Sequence, residues 1–173
     1  VRSCRDQHHP QVLVAIDCGS TSTEVIRHLQ AEGTEVVVLD HHQVADPGPP
    51  ACALVNPQLL GEGHPARHLS SAGLAFKLAH ALVKEGRVHQ EPAEGACDVR
   101  RLLDLVALGT VADLVPLCGE NRVLVAAGLR YLESTPRAGL QALMEVAQVS
   151  RPVGAHEVGF QLGPRLNAAG RLE

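Results

Sequence analysis

The apolar positions follow two different rhythms along the chain. Val12-Leu13-Val14-Ala15-Ile16 is apolar throughout, which predicts an interior strand that ends at Asp17-Cys18-Gly19. Thr21 and Glu24 are spaced as a capping box, Val25, Ile26 and Leu29 make an apolar stripe, and Gly33 marks the end of that helix. Glu35 to Leu39 then reads as a second strand, running directly into Asp40-His41-His42. A strand, helix and strand joined by short turns form a right-handed crossover, so the two strands are expected to be parallel, with Asp17 and Asp40 on one rim. Asp46-Pro47-Gly48-Pro49-Pro50 has the composition of a surface turn, and Ala51 to Val55 predicts a short third strand ending at Asn56-Pro57.

From there the rhythm becomes helical. Ser70 or Ser71 is placed to cap a helix carrying Leu74, Leu78 and Leu82, with Gly86 as its stop. Arg87 to Asp98 is polar, contains Pro92 and Gly95, and reads as an exposed connection. Leu102, Leu103, Val106 and Ala107 begin another helix, and the nearly unbroken apolar run that follows ends in a lone acid, Asp113. Asn121 can cap a helix over 122–132, and Thr135-Pro136 predicts the start of one reaching about Ala147. The expected fold class is α/β: a small parallel sheet flanked by helices, passing into a helical connecting region. The expected organisation is a tail over 1–11, an α/β part over 12–86, a connection over 87–98 and a helical part over 99–173.

Composition narrows the chemistry. The chain has 173 residues and a formal charge of −4, which argues against a strongly basic module that coats DNA. Its aromatic residues are Phe76, Tyr131 and Phe160, so a nucleic-acid strand held here would be gripped through its phosphates more than by base stacking. The five cysteines are widely spaced and form no Cys-x-x-Cys pair, so neither a disulfide frame nor a thiolate zinc site is signalled. No apolar run is long enough to span a bilayer and no signal-peptide core is evident, giving the expectation of a cytoplasmic protein.

Asp40-His41-His42 at a strand end offers oxygen and nitrogen donors suited to a divalent cation, although adjacent histidines after a strand are often plain surface. Adding Asp17 on the same rim strengthens the metal reading, because converging carboxylates and imidazoles are costly to desolvate without a cation. Asp113 reads as a helix-terminal or capping acid, a reading that its apolar surroundings weaken because a buried neighbourhood is an odd place for an unpaired charge. Residues 159–171 are rich in glycine, with Arg165, Asn167 and Arg171 among small residues, a composition that suits close approach to an anion. Cys4 with His8-His9 is better read as a solvated tail than as a zinc site, and Lys77 and Arg100-Arg101 as solvated helix faces. The turn Asp17-Cys18-Gly19-Ser20-Thr21 lacks the glycines of a dinucleotide or Walker loop, and no nucleophile elbow is present.

These pieces together resemble the DHH phosphoesterase superfamily, and within it the bacterial exonucleases specific for single-stranded DNA. The resemblance rests on Ala15-Ile16-Asp17-Cys18-Gly19, Leu39-Asp40-His41-His42, residues 106–113 with Val115-Pro116-Leu117, Gly119-Glu120-Asn121-Arg122, and the stretch from Gly163-Pro164-Arg165 to Gly170-Arg171. They occur in the family's order and span the chain from about residue 12 to its end. The resemblance implies a phosphodiesterase that uses two Mn²⁺ or Mg²⁺ ions and degrades single-stranded DNA from the 5′ end in recombination and repair. It implies that Asp17 bridges the ions, that His41 and Asp113 ligate one of them and that Asp40 orients its neighbouring histidine. It also implies that His42 contacts the scissile phosphate and that Arg165, Asn167 and Arg171 hold the phosphate backbone. The alternatives are a small phosphodiesterase of the same superfamily acting on short oligonucleotides, and a non-catalytic nucleic-acid-binding relative. The family's first Asp-x-Asp motif and its C-terminal substrate domains are not matched in this sequence, so the expectation is an internal segment with an incomplete ligand set and little activity by itself.

Overall fold

The computed structural model describes residues 2–89 and 98–169. The chain divides into two compact units, 1–67 and 68–173. The first contains the sheet and the second is helical. The division falls ahead of the helix that the sequence pattern grouped with the sheet, and the connection expected over 87–98 lies largely outside the described residues.

In the first unit the expected tail is helical over Arg2–His8 (α1). Arg5 pairs with Glu32, and Thr34 donates its hydroxyl to the Pro10 carbonyl at 3.1 Å. Strands β1 (Val12–Ile16), β2 (Glu35–Leu39) and β3 (Ala53–Val55) are all parallel, in the order β1-β2-β3. Helix α2 (Thr23–Ala31) crosses between the first two. Its Ile26 and Leu29 pack against Val36 and Val38, with Leu13, Ala15 and Leu54 around them, so one face of the sheet is closed by the helix stripe.

Two expectations fail here. β1 pairs only with β2 among the described residues, and Val12, Val14 and Ile16 on its other face are roughly half exposed rather than interior. An unbroken apolar run does not distinguish an edge strand from a central one. The Thr21/Glu24 capping box also does not form: α2 starts after Ser22, with no side-chain cap, and Glu24 instead pairs with Arg27 along the helix.

The second unit is built around α4 (Leu103–Ala112), which a 3₁₀ turn over Val99–Leu102 introduces and Asp98 caps by accepting from the Arg100 amide. α3 (Ser71–His89) precedes it and runs past Gly86, and Leu82 on its expected apolar stripe is exposed. Ser70 Oγ accepts from the Gly73 amide and lies 2.8 Å from Thr110 Oγ1, which ties the start of α3 to α4. α5 (Gly119–Glu133) packs so closely on α4 that a β-carbon at Gly128 would lie 2.2 Å from the Leu103 carbonyl oxygen. Asn121 does not cap this helix but sits buried inside it, donating its amide to the Pro116 and His68 carbonyls.

α6 (Ala138–Val146) starts later than Thr135-Pro136 suggests, and the Thr135 hydroxyl, which accepts from the Arg137 amide at 3.3 Å, is also used elsewhere. It donates to Asp104 Oδ2 at 2.6 Å, and Arg137 Nε approaches the same oxygen at 3.0 Å. The acid buried in α4 is thus Asp104, 1% exposed, and not Asp113. Asp113 is exposed, at the C-cap of α4. The glycine-rich stretch is helical as well: α7 (Ala155–Glu157), a π-helical turn over Val158–Leu162 and α8 (Gly163–Ala169). Gly163 permits contact with Ala112, which a β-carbon would approach to 3.3 Å.

Asp104 is buried while the Arg137 side chain is 37% exposed, so removing the guanidinium leaves a buried carboxylate short of its charged partner. Arg137→Ala is therefore expected to destabilise the protein by about 3 kcal/mol, read from urea unfolding midpoints at an unchanged slope. A loss below about 1 kcal/mol would show that the Thr135 hydroxyl satisfies Asp104 without the guanidinium.

Candidate metal centre

Parallel strands present their carboxyl ends along one rim, and in the first unit that rim carries Asp17, Asp40, His41 and His42. Asp17 adopts φ 67°, in the left-handed region, so the chain turns away from the sheet immediately after β1. Aspartate tolerates this conformation better than most residues. Gly19 follows at φ 115°, and a β-carbon there would lie 3.0 Å from the buried Val38 side chain, so this turn needs glycine for both conformation and space. The Asp17 amide still donates to the Leu39 carbonyl, which aligns the ends of β1 and β2.

Asp40 organises the rim. Its carboxylate is 1% exposed and engaged at both oxygens. Ser20 N donates to Oδ2 at 3.0 Å, while His41 N (2.8 Å), His42 N (3.3 Å) and His42 Nδ1 (2.7 Å) converge on Oδ1. Burial pushes the Asp40 carboxyl up, but the bonds from the His42 ring and from Ser20 and His42 outweigh it and hold the pKa at about 2. Asp40 is accordingly ionised and accepts only, so the His42 proton sits on Nδ1 and the Nε2 lone pair faces away from Asp40.

One ligand atom from each of Asp17, His41 and His42 lies within 4.8 Å of the other two. His41 Nε2 is 3.5 Å from Asp17 Oδ1, and the two imidazoles meet edge to face with centroids 4.4 Å apart. Ligands about 2.1 Å from one ion lie roughly 3.0 to 3.5 Å from each other, so the Asp17–His41 pair has the spacing of two ligands of one divalent cation, with His42 beside them. Its mixture of carboxylate and imidazole suits Mn²⁺ among the oxygen-preferring ions.

The sequence reading missed Ser20, Asn56 and Gln58, which stand behind this cluster. Asn56, at the end of β3, donates Nδ2 to Ser20 Oγ (2.8 Å) and to the His42 carbonyl (2.9 Å), while Gln58 Nε2 donates to the His41 carbonyl (3.2 Å). The available signal was polar residues at a strand end directly before a proline, which reads first as a turn. The remaining expected site residues belong to the second unit or lie outside the described residues. Asp113 is at the end of α4, Arg165 and Asn167 are exposed on α8 with Arg165 Nη1 donating to the Gln161 carbonyl, and Arg171 is not among the described residues. Among the described residues their glycine-rich setting, 159–169, is helical.

Because the folded pKa of Asp40 is depressed, its stabilising effect is complete above the ordinary carboxylate value of 3.8 and is lost as pH falls towards about 2. The expected loss across that window is about 2 kcal/mol, and Asp40→Asn is expected to flatten this part of the stability profile measured by denaturant titration at each pH. An unchanged profile in the variant would place the acid sensitivity elsewhere.

The DHH family, N-terminal domain, matches residues 2–110. The single-stranded-DNA-specific exonuclease RecJ of Escherichia coli K12 is 40% identical over 176 aligned residues, covering 97% of this chain and 30% of that protein. The exonuclease of the same name from Thermus thermophilus is 38% identical and is covered over 22% of its length. Among solved structures, exonuclease RecJ bound to manganese aligns with a TM-score of 0.78 at 35% identity, over 97% of this chain and 41% of that one. The T. thermophilus RecJ complex with Mn²⁺ aligns with a TM-score of 0.79 at 35% identity, over 97% of this chain and 24% of that one. The chain spans less than a third of the length of these curated relatives. With the family's domain matched over more than half of its residues and the sheet, rim and donor cluster in place, the chain belongs to the DHH family.

Proposed function

We propose that this chain forms the metal- and phosphate-binding part of a cytoplasmic exonuclease that hydrolyses single-stranded DNA from its 5′ end, in recombination and repair. The observation that carries this reading is the convergence of Asp17, His41 and His42 at the carboxyl rim of the sheet. The family membership and the printed specificity of the relatives support the choice of substrate. No helix among the described residues is long and apolar enough to cross a membrane.

Asp17 and His41 of the first unit would hold the cation. When bound, Mn²⁺ or Mg²⁺ supplies a water of lowered pKa and neutralises charge on the phosphate oxygens. Asp40 keeps the His42 proton on Nδ1 and thereby orients the ring towards the scissile phosphate. His42, 58% exposed on its side chain, is open to such a ligand. Arg165, Asn167 and Arg171 would grip successive phosphates, guanidinium groups matching phosphate oxygens in pairs.

Two measurements test this. Titration with Mn²⁺, followed by the loss of the free-ion electron paramagnetic resonance signal, is expected to show saturable binding. Asp17→Ala and His41→Ala are expected to weaken it by more than the roughly 10- to 100-fold that loss of an outer partner causes. A hybrid in which this chain replaces the matching segment of the E. coli relative is expected to release mononucleotides from labelled single-stranded DNA, and Asp17→Ala is expected to abolish the release. A folded hybrid whose nuclease activity survives Asp17→Ala would overturn the assignment.

A further inference from the structure

We infer that Asn56 is a positioning residue for the His41-His42 pair, fixing from β3 the peptide whose histidines reach the proposed cation and phosphate. The inference rests on the reading of the rim as a metal-dependent hydrolytic site. Asn56 is 5% exposed, and every hydrogen-bonding group of its carboxamide is engaged. Oδ1 accepts from the Gln58 amide at 2.8 Å, as an ordinary cap of the 3₁₀ turn over Pro57–Leu59. The two Nδ2 bonds, to Ser20 Oγ and to the His42 carbonyl, contribute nothing to that cap. They join the loop after β1 to the loop after β2 at the point where both contribute to the cluster.

The geometry gives these bonds a consequence. Asp40 holds residues 41 and 42 by their amide groups and by the His42 ring, all from the side of the sheet. Asn56 holds the His42 carbonyl from β3, and the Asp40 amide donates to the Val55 carbonyl at 3.1 Å, which ties the same segment to the same strand. Held at its amide by Asp40 and at its carbonyl by Asn56, the His42 backbone keeps the ring within reach of Asp40. The His42 tautomer and the direction of its Nε2 therefore depend on Asn56 as well as on Asp40.

The cap and the bridge can be separated by substitution. Serine at position 56 accepts from the Gln58 amide as well as asparagine does, but its single short hydroxyl cannot reach both Ser20 Oγ and the His42 carbonyl. Asn56→Asp is isosteric and also keeps the cap, while placing an acceptor where Nδ2 donated. The full 173-residue chain, ¹⁵N-labelled and metal-free at about pH 8, above the ordinary imidazole pKa of about 6.5, reports the tautomer through its ring nitrogen shifts. The unsubstituted chain is expected to show His42 protonated on Nδ1. Asn56→Ser and Asn56→Asp are expected to move those shifts towards the averaged values of a freely exchanging imidazole, with the thermal midpoint changed by only a few degrees, and Asn56→Ser to raise the Mn²⁺ dissociation constant on the order of 10-fold.

Retention of the Nδ1-protonated pattern in the folded variants would overturn the inference and leave Asn56 as a turn cap. If Asn56→Ser does not fold, Asn56→Asp decides the matter alone. A chain that binds no Mn²⁺ while its Asn56 variants still lose the tautomer would refute the metal-dependent reading and leave the positioning role standing.

Discussion

An ionised carboxylate removed from water must be met by donors on all sides, and in the first unit that requirement falls on Asp40. Its desolvation is offset by hydrogen bonds from the loop after β1, through Ser20, and from the loop after β2, through His41 and His42. Those two loops form the rim. The charge that is costly to bury therefore sets the path of both chains, and the two imidazoles emerge where they do because their backbone has already been committed to Asp40. β3 then closes the arrangement from the other side with Asn56 and Gln58.

The second unit solves a similar problem with a helix. α4 has Leu103, Asp104, Val106, Ala107, Leu108, Thr110 and Val111 buried, so it is covered on nearly every side. A helix in that position leaves little room to display polar side chains to solvent, and only Leu105 is exposed within it. Asp104 and Thr110 are accordingly satisfied internally, by Thr135 and Arg137 and by Ser70. Asp113 stands exposed at the end of this element. Small residues allow the close covering: Gly109 faces Ala72, Gly128 faces the Leu103 carbonyl and Gly163 faces Ala112.

Much of this was legible in the sequence, and the exceptions share causes. The three strands, their parallel order and the placement of Asp17 and Asp40 on one rim follow from β-branched runs and short turns, because those signals are local. Whether β1 lay inside or at an edge was not local, and neither was the use of Thr135 and Asn121, whose side chains have caps within reach but answer to Asp104 and to the carbonyls of His68 and Pro116. Gly159 and Gly163 are a related case. Glycine serves close packing and anion approach equally well, and here it packs a helix against α4. The cluster's supporting residues were illegible because Asn56 acts across 14 residues on His42 and across 36 on Ser20.

Hydrogen-bond saturation separates the roles of the acids more sharply than their positions in the sequence do. Asp40 and Asp104 are each about 1% exposed, with oxygens already filled by N–H and O–H donors. A cation drawn to either would have to displace those donors, at a cost comparable to the desolvation they now offset. Asp17 is different: its side chain is 62% exposed, and it meets His41 Nε2 at 3.5 Å, a separation that suits two ligands of one ion better than a hydrogen bond. By the same test the acid adjacent to the histidines in sequence is held by the donors around it, while the acid a whole crossover earlier keeps an exposed carboxylate beside His41.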